Sequence, residues 1–263
     1  MNPGAPDILV SVEAGSVAIV TLNRPKQVNA VKLDMWIALK EIFADLHGQG
    51  SVKSAVLTGS GGNFSAGADI SEFSRNRVGS AAGLAYEEHY RAAVEAVRGF
   101  SKPVIAAVTG NCMGGACALA MACDFRVADP TARFAIPASK LGVVYGMPEC
   151  RLLFNLVGLS NAKHILYLGD PVAAPEAERM GLVDRIVEGP VLQAALALAG
   201  TLAERAPLSI AGHKTILNAL AGGDADARAG ALDELVRAAI ESHDYKEGVR
   251  AFGEKRKPVF VGR

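Results

Sequence analysis

Apolar residues occur along the chain in two patterns: short runs of strand length, and longer stretches with helical spacing. Ser54–Thr58 and Val104–Val108 are largely apolar runs bounded by turn-forming residues. In Leu33–His47, apolar side chains recur every three or four residues with charged residues between them, which is typical of an amphipathic helix. Strands that alternate with helices predict an α/β fold with a largely parallel sheet.

The same two patterns predict the other elements. Further strands are predicted at Ile8–Glu13, Val17–Leu22, Phe125–Ala128, Arg133–Ile136 and Val183–Val187. Further helices are predicted at Ala81–Phe100, Gly114–Cys123, Glu149–Val157, Asn161–Leu168, Val191–Arg205, Leu208–Leu220 and Ala227–Ser242. Ala14–Ser16 is predicted as a hairpin turn, and Arg75–Ser80 as a polar, mobile loop. The chain therefore divides into an α/β core over residues 1–190 and a helical region over residues 191–263.

Composition excludes several classes of protein. Lys and Arg total 27 and Asp and Glu total 27, so the net charge is zero, without the basic excess that is typical of proteins binding nucleic acid or anionic membranes. Pro103–Cys123 carries no charge and is long enough to span a bilayer, but Thr109–Asn111 and Gly114–Gly115 interrupt it. It is interpreted as a buried strand, a turn and a buried helix. Met1–Asp7 has no secretory pattern, which predicts a cytoplasmic protein.

Common cofactor and metal motifs are missing from the sequence. There is no GxxxxGK[ST] phosphate loop, no GxGxxG, no GxSxG and no HExxH. The four cysteines match no zinc spacing and are predicted to be buried, reduced thiols. No metal site is expected.

Two glycine-containing loops follow predicted buried strands, Ser65–Ile70 and Gly110–Gly115. Small residues allow a ligand to approach the backbone closely, and the second loop leads into a helix whose first amides have no intrahelical acceptor. Two such amides that converge on one point would form an oxyanion hole. From spacing alone, tight packing of small residues explains the loops equally well.

Several motifs together resemble the crotonase family, also called the enoyl-CoA hydratase/isomerase family, from about residue 8 to the end of the chain. The segments that carry this resemblance are Leu22–Lys26, Asn29–Ala30, Phe64–Ile70, Lys102–Val108, Gly110, Gly114–Gly115, Cys123–Asp124, Ala177–Val183 and Glu254–Phe260. The resemblance implies a spiral of ββα units with a helical C-terminal part that assembles a homotrimer or a dimer of trimers. It also implies an acyl-CoA substrate, with no cofactor beyond its coenzyme A moiety.

The resemblance also implies roles for particular residues. The backbone N–H groups of Ala68 and Gly115 would hold the thioester oxygen. Phe252 and Lys255 would close the coenzyme A site, either of their own chain or of a neighbouring subunit. The other residues expected to contact coenzyme A are Lys26, Val28, Ala66, Asp69, Ile70, Met113 and Gly114.

The chain departs from the family at its usual acid–base positions. Hydratases of the family carry two glutamates, and here Ala118 and Ala138 occupy those places. The carboxylates of its dehalogenases and dienoyl isomerases would fall on Gly146. Since an alanine cannot transfer a proton, hydration by the usual pair is not expected.

Tyr145 and Glu149, in the loop after Leu141, are the candidate replacements. Glu149 is interpreted either as a catalytic carboxylate or as a charge that stabilises a helix start. Tyr145 matches a tyrosine of a methylmalonyl-CoA decarboxylase of the family, although it is also explained as a ring in the pocket wall. Tyr86–Tyr90 lies on a helix that often covers the acyl chain, and a solvated helix face is the preferred interpretation there.

Three functions follow as hypotheses. The first is an enzyme that acts on an acyl-CoA thioester through an enolate, as a lyase or isomerase. The second is a non-catalytic acyl-CoA carrier, which the two alanines favour, and the third is a decarboxylase-like enzyme that uses Tyr145. A serine peptidase is excluded because no Ser/His pair is placed for it.

The missing glutamates can be tested directly. Replacing both Ala118 and Ala138 with Glu is expected to raise the hydration rate of a short enoyl-CoA above that of the parent, because it restores an acid–base pair. The rate is measured by mass spectrometry of the thioester. A double variant that is folded and binds coenzyme A, yet stays at the parent rate, would show that these positions are wrongly assigned.

Overall fold

The apolar runs form two sheets in the computed structural model, which describes residues 6–13 and 16–263. Ala14–Gly15 of the predicted turn and Met1–Ala5 lie outside the described residues. The larger sheet has the strand order β1–β2–β3–β4–β6–β9 and is parallel except for the β1–β2 hairpin, and the smaller sheet has the order β5–β7–β8. The strands are β1 Ile8–Glu13, β2 Val17–Leu22, β3 Ser54–Gly59, β4 Val104–Val108, β5 Asn111–Met113, β6 Phe125–Ala128, β7 Arg133–Ala135, β8 Val172–Ala173 and β9 Arg185–Ile186.

Helices connect the strands and form the C-terminal region. They are α1 Leu33–Gly48, α2 Phe73–Asn76, α3 Gly79–Arg98, α4 Gly115–Ala122, α5 Ala138–Leu141, α6 Met147–Leu168, α7 Ala174–Met180, α8 Val191–Ala203, α9 Pro207–Gly222, α10 Ala229–Glu241 and α11 His243–Gly253. Short 3₁₀ turns cover Pro25–Gln27, Ile70–Glu72 and Asp226–Arg228.

The chain winds as a spiral of repeated strand–strand–helix units. After β4 in the larger sheet, the chain adds β5 to the smaller sheet and enters α4; β6, β7 and α5 repeat this path. Two isolated parallel β-bridges continue the smaller sheet towards earlier units of the spiral. They pair Val31 with Ala68 and Ser65 with Cys112. The predicted ββα spiral is therefore confirmed.

The central strands are buried on both faces, which explains their unbroken apolar character. Along β3, Ala55 and Leu57 face the main core while Val56 faces a second, smaller core. Helix α8 covers that second face with Val191, Ala195 and others. Thus α8 packs on the sheet, although the boundary at residue 190 remains a prediction.

The uncharged segment 103–123 forms the predicted buried strand β4 and the predicted buried helix α4, but the segment predicted as a turn between them contains the short strand β5. Within the described residues, no helix is long and apolar enough to cross a membrane, and no group of three or more side chains is arranged to hold a metal ion. None of the four cysteines forms a disulfide; three are buried and Cys150 is partly buried.

Some element predictions were wrong. The segment predicted as a mobile loop, Arg75–Ser80, contains the end of α2 and the start of α3. The last predicted strand shortens to Arg185–Ile186. The two helices predicted on either side of residue 158 are one helical element, α6, whose backbone breaks at Gly158 with φ +73°.

Helix α11 was not predicted because its inward face is polar. Asp244 and Glu247 are buried there and accept hydrogen bonds from the C-terminal tail: Asp244 from the amides of Val261 and Gly262, and Glu247 from Val259 N–H. A search for apolar periodicity does not find such a face.

Asn29 fixes the segment between β2 and α1. Its side chain is fully buried and donates to the carbonyl oxygens of Ser60 and Asn63, both at 2.8 Å, while its Oδ1 accepts from Arg24 N–H at 2.9 Å. Its φ of +54° lies in the left-handed region that Asn adopts more readily than most residues. The side chain thus joins two loops that are distant in sequence.

Replacing Asn29 with Ala is expected to destabilise the protein by about 3 kcal/mol or more, since it leaves buried carbonyls without donors and puts Ala in a strained conformation. Urea unfolding at a fixed protein concentration measures the loss. Asn155→Ala is the control, because it removes one hydrogen bond at an exposed position and should cost no more than about 0.5 kcal/mol. A loss for Asn29→Ala as small as that of the control would contradict this role.

Candidate active site

The segment Phe64–Asp69 is hydrogen-bonded on both sides. On one side, Ser65 N–H donates to Asn111 C=O at 2.8 Å and Met113 N–H donates to Ser65 C=O at 3.0 Å. On the other, Val31 N–H donates to Gly67 C=O at 2.8 Å and Asp69 N–H donates to Val31 C=O at 2.9 Å. The segment is therefore held between two turns of the spiral.

This pairing leaves the Ala68 amide free. In the parallel bridge to Val31, the neighbours Gly67 and Asp69 supply the hydrogen bonds, so Ala68's own N–H is turned away from Val31. Gly115 is the first residue of α4, where an amide has no intrahelical acceptor. In residues 6–13 and 16–263, neither amide donates a backbone hydrogen bond, and both residues line one cavity.

Glycines allow the two loops to meet at this point. A Cβ on Gly67, which has φ +87°, would collide with the Met113 carbonyl oxygen and lie 3.3 Å from the Gly115 nitrogen. A Cβ on Gly115 would lie 3.1 Å from the ring of Tyr90 and 3.3 Å from that of Trp36. The loops are therefore in backbone contact, as an oxyanion hole requires.

The cavity beside these amides is small, about 120 Å³. Most of its wall is apolar, and a few polar side chains reach into it. Its lining residues are Ala66, Ala68, Ile70, Phe73, Arg77, Tyr86, Glu87, Tyr90, Gly114, Gly115, Pro137, Ala138, Leu141, Val143, Val144, Tyr145, Gly146 and Glu149. The predicted residues Ala68, Gly115, Tyr145 and Glu149 are thus brought together.

Glu149 lies in the first turn of α6 and is only 2% exposed. Neither carboxylate oxygen has a hydrogen-bond partner within the described chain, and the Nε of Arg91 is 3.8 Å from Oε1. A buried carboxylate left in this state costs on the order of 1–3 kcal/mol or more. A structural role at the helix start does not explain that cost, since a capping carboxylate would accept backbone N–H groups.

Glu149 reaches over Gly146. A Cβ placed on Gly146 would lie 2.7 Å from Glu149 Oε2 and 2.5 Å from an Nη atom of Arg91. The space beside residue 146 is therefore filled by a carboxylate from the next helical turn, and only glycine leaves room for it.

Two tyrosines complete the polar end of the cavity. The hydroxyls of Tyr90 and Tyr145 are enclosed and lack partners among the described residues. Burial raises the pKa of both phenols well above the ordinary value, and the nearby Glu149 carboxylate raises it further. Both are therefore neutral hydrogen-bond donors near pH 7.

The solvated-face interpretation of Tyr86–Tyr90 was wrong for three of its five residues. Tyr86 and Tyr90 are buried, and Glu87 lines the cavity and pairs with Arg77; only Glu88 and His89 face solvent. Tyr86 and Tyr90 are four residues apart and so share one helix face, a signal that was available from the sequence.

Sequence reasoning also missed Arg77. Its guanidinium lies 4.4 Å from the ring centroids of both Phe73 and Tyr86, and its Nε is buried without a partner in the described chain. It comes from the segment that was predicted to be a mobile loop.

Only some of the residues predicted to contact coenzyme A line this cavity. Ala66, Ile70 and Gly114 line the cavity, and Ile70 is 66% exposed at its mouth. Met113 supports the Ser65 segment through its backbone, and Val28 accepts the Ala66 N–H at 2.8 Å in a left-handed conformation.

Asp69 and Lys26 do not line the cavity. Asp69 accepts hydrogen bonds from Ser71, and from Arg24 at 2.8 Å, which together hold its pKa below the ordinary value. Lys26 is exposed in the Pro25–Gln27 turn.

Phe252 and Lys255 also lie away from the cavity. Phe252 is 87% exposed and borders a separate apolar groove between α9, α10 and α11, while Lys255 follows α11 with φ +54° and is exposed. Within one chain, these residues do not close the site.

The two alanines differ in position. Ala138 lines the cavity, whereas Ala118 is fully buried in the main core and is not part of the cavity wall. Ala138→Glu alone is therefore a useful second arm of the hydration test.

Comparison with known proteins identifies the family of this chain. Residues 13–263 match the family model described as Enoyl-CoA hydratase/isomerase. The chain belongs to the enoyl-CoA hydratase/isomerase family. The family resemblance and the crotonase fold predicted from the motifs are thereby confirmed.

Relatives of the chain cover nearly all of it. A mevalonyl-coenzyme A hydratase of Beauveria bassiana is 37% identical, over 98% of this chain and 96% of its own. A short-chain-enoyl-CoA hydratase of Clostridium acetobutylicum is 34% identical, over 92% and 93%. The solved structure of an enoyl-CoA hydratase/carnithine racemase from Magnetospirillum magneticum has a TM-score of 0.89 and 36% identity, over 99% and 97%. For this family member, the residue roles given above remain predictions.

Proposed function

We propose that this member of the enoyl-CoA hydratase/isomerase family is an enzyme that transforms an acyl-CoA thioester through its enolate. One observation carries the proposal: two free backbone amides open onto the same cavity as a buried carboxylate without a hydrogen-bond partner among the described residues. The coenzyme A moiety of the substrate is the only cofactor that the proposal requires.

In the proposed reaction, the thioester oxygen accepts hydrogen bonds from the Ala68 and Gly115 amides. Glu149 removes the proton from Cα, and the electron pair of the C–H bond moves into the C=O group, which becomes an enolate oxygen. Each amide donor lowers the barrier by about 3 kcal/mol, since the charge on that oxygen grows in the transition state. The thioester C=O group then re-forms as Cα takes the proton back from the protonated Glu149, while the neutral Tyr145 hydroxyl is a hydrogen-bond donor in the same cavity.

Glu149 takes this role because the usual carboxylates are absent. Ala118 and Ala138 supply no acid or base, and Glu149 places its carboxylate beside Gly146, where other family members are expected to carry theirs. Hydration by the usual glutamate pair is not part of the proposal.

The alternatives are weaker. A carrier gains nothing from an enclosed carboxylate that has no hydrogen-bond partner among the described residues. A decarboxylase must bind a carboxylated acyl group, but the guanidiniums at the cavity already have partners, Arg77 in Glu87 and Arg91 in Glu149. Among the described residues that line the cavity, no cation is left for a further carboxylate.

Incubation with butyryl-CoA in deuterated water tests the reaction. The parent is expected to incorporate deuterium at Cα, and Glu149→Gln to slow this by about a hundredfold or more, because it removes the base and keeps the shape. Mass spectrometry of the thioester measures the exchange.

Glu88→Gln, on the exposed face of α3, is the matched control and should exchange at the parent rate. Adding enoyl- and malonyl-type thioesters to the same incubation checks the alternatives. Rapid water addition to the enoyl thioester would contradict the importance of the missing glutamates, and loss of carbon dioxide would favour the decarboxylase. Thioesters that are retained on the protein but unchanged would favour the carrier.

We further propose that the chain assembles as a homotrimer or a dimer of trimers through its C-terminal helices. An apolar groove of about 560 Å³ lies between α9, α10 and α11. Around it, Val236, Ile240, Val249 and Phe252 are 49–87% exposed, and clustered exposed apolar side chains are a common feature of surfaces that bind another chain. In the assembly, Phe252 and Lys255 would reach a neighbouring subunit's coenzyme A site.

Ile240→Glu is expected to dissociate the assembly, because it buries a charge at the interface. Light scattering after size exclusion should give three or six chain masses for the parent and one for the variant. Val10→Glu, on the exposed edge strand, is the control and should keep the parent mass. A monomeric parent would refute the assembly.

A further inference from the structure

A second cavity, of about 600 Å³, borders the same carboxylate as the cavity beside the free amides. It lies between α3, the end of α4, the start of α6 and the end of α9. Among the described residues, Glu149 is the only one that lines both cavities. Arg91 lines the second cavity alone, and its side chain is 47% exposed there.

Arg91 and Glu149 converge from two helices on one point over Gly146. The Nε of Arg91 is 3.8 Å from Glu149 Oε1. A Cβ placed on Gly146 would meet both an Nη atom of Arg91 and Oε2 of Glu149. The guanidinium on α3 therefore lies beside the carboxylate in the first turn of α6, on the side of the second cavity.

This ion pair differs from the others around the two cavities. The remaining carboxylates have closer cations, with N–O distances of 3.2 Å or less; those pairs are Arg77–Glu87, Arg98–Glu95, Lys214–Asp124 and Arg126–Asp184. Arg151, which also lines the second cavity, donates to the Gly222 carbonyl oxygen. Within the described chain, Arg91 is thus the one cation paired with Glu149, and it makes no hydrogen bond to the carboxylate.

A longer ion pair suits a carboxylate that must accept a proton. Charge attraction acts at 3.8 Å without a hydrogen bond that would occupy an oxygen lone pair. A base needs such a lone pair free for the proton that it removes. A glutamate side chain has several rotamers, and no hydrogen bond from the described residues selects one for Glu149.

We propose that Arg91 is a positioning residue, which holds the Glu149 carboxylate at the boundary between the two cavities so that it faces the thioester Cα. Arg91 does not line the cavity beside the amides, so it acts through Glu149 and not on the substrate. This inference rests on the proposed function, in which Glu149 is the base.

Deuterium incorporation into butyryl-CoA, measured together with equilibrium binding of the thioester, tests the role of Arg91. Arg91→Ala is expected to slow the exchange by about tenfold or more, because a base displaced by about an ångström transfers protons much more slowly. The affinity for butyryl-CoA should stay at the parent value. Arg98→Ala is the matched control, since Arg98 lies on the same helix and lines the same cavity but pairs with Glu95. It should keep the parent rate and affinity.

Rescue separates positioning from a structural role. Because Arg91 is half-exposed in an open cavity, a free guanidinium ion can take the place that its side chain leaves. Millimolar guanidinium chloride, far below denaturing concentrations, should restore most of the exchange rate of Arg91→Ala, whereas sodium chloride at the same concentration should not. Arg91→Lys should keep part of the parent rate, because it retains the charge but not the planar group.

The contrary outcomes are distinguishable. Arg91→Ala that exchanges at the parent rate would refute the proposal, and so would a slow rate that neither guanidinium nor Arg91→Lys restores. A loss of butyryl-CoA affinity that matches the loss of rate would make Arg91 a binding residue instead. Glu149→Gln that exchanges at the parent rate would refute the proposed function itself, whereas a slow Glu149→Gln beside an unaffected Arg91→Ala would refute only the role of Arg91.

Discussion

The site depends on one constraint, the hydrogen bonding of residues 64–69 to two different turns of the spiral. Ser65 is tied to the strand before α4, and Gly67 and Asp69 are tied to Val31. Because every neighbour of the Ala68 amide is engaged, that amide is the one left to face the start of α4. Asn29 supports the same arrangement, since its side chain hydrogen-bonds to Arg24 in its own loop and to Ser60 and Asn63 in the loop before residue 64. The proposed oxyanion hole would thus result from sheet pairing and not from a separate binding loop.

The second feature is a group of polar atoms without hydrogen-bond partners in the described part of the chain. Glu149, Tyr90 and Tyr145 carry a desolvation cost that no hydrogen bond from those residues offsets. Such local costs are tolerated where a ligand recovers them. The small residue at position 146 belongs to the same arrangement, because any side chain there would displace the carboxylate.

In the proposed function, the catalytic carboxylate has moved in the chain but not in space. Ala118 in α4 and Ala138 at the start of α5 carry no acid, and Glu149 at the start of α6 would supply it. Each carboxylate at the cavity has a guanidinium beside it, Arg77 at Glu87 and Arg91 at Glu149. Relatives of this chain are named for different acyl-CoA substrates, so side chains around the site, and not the fold, are expected to set the reaction and the acyl group.

The sequence by itself determined the α/β class, most strands and helices, the family and the two loops that meet at the site. These rest on local signals: apolar runs, glycines and short motifs whose spacing is visible in one dimension. Tertiary structure decided what those signals do not carry. It turned Tyr86, Glu87 and Tyr90 inward, because α3 packs that face on the cavity, and it brought Arg77 to the same wall. It also enclosed the Glu149 carboxylate, which has no hydrogen-bond partner among the described residues and lies 3.8 Å from the Arg91 Nε. The burial and the hydrogen bonding of a side chain depend on which surfaces pack together, and those contacts are made by residues far apart in the chain.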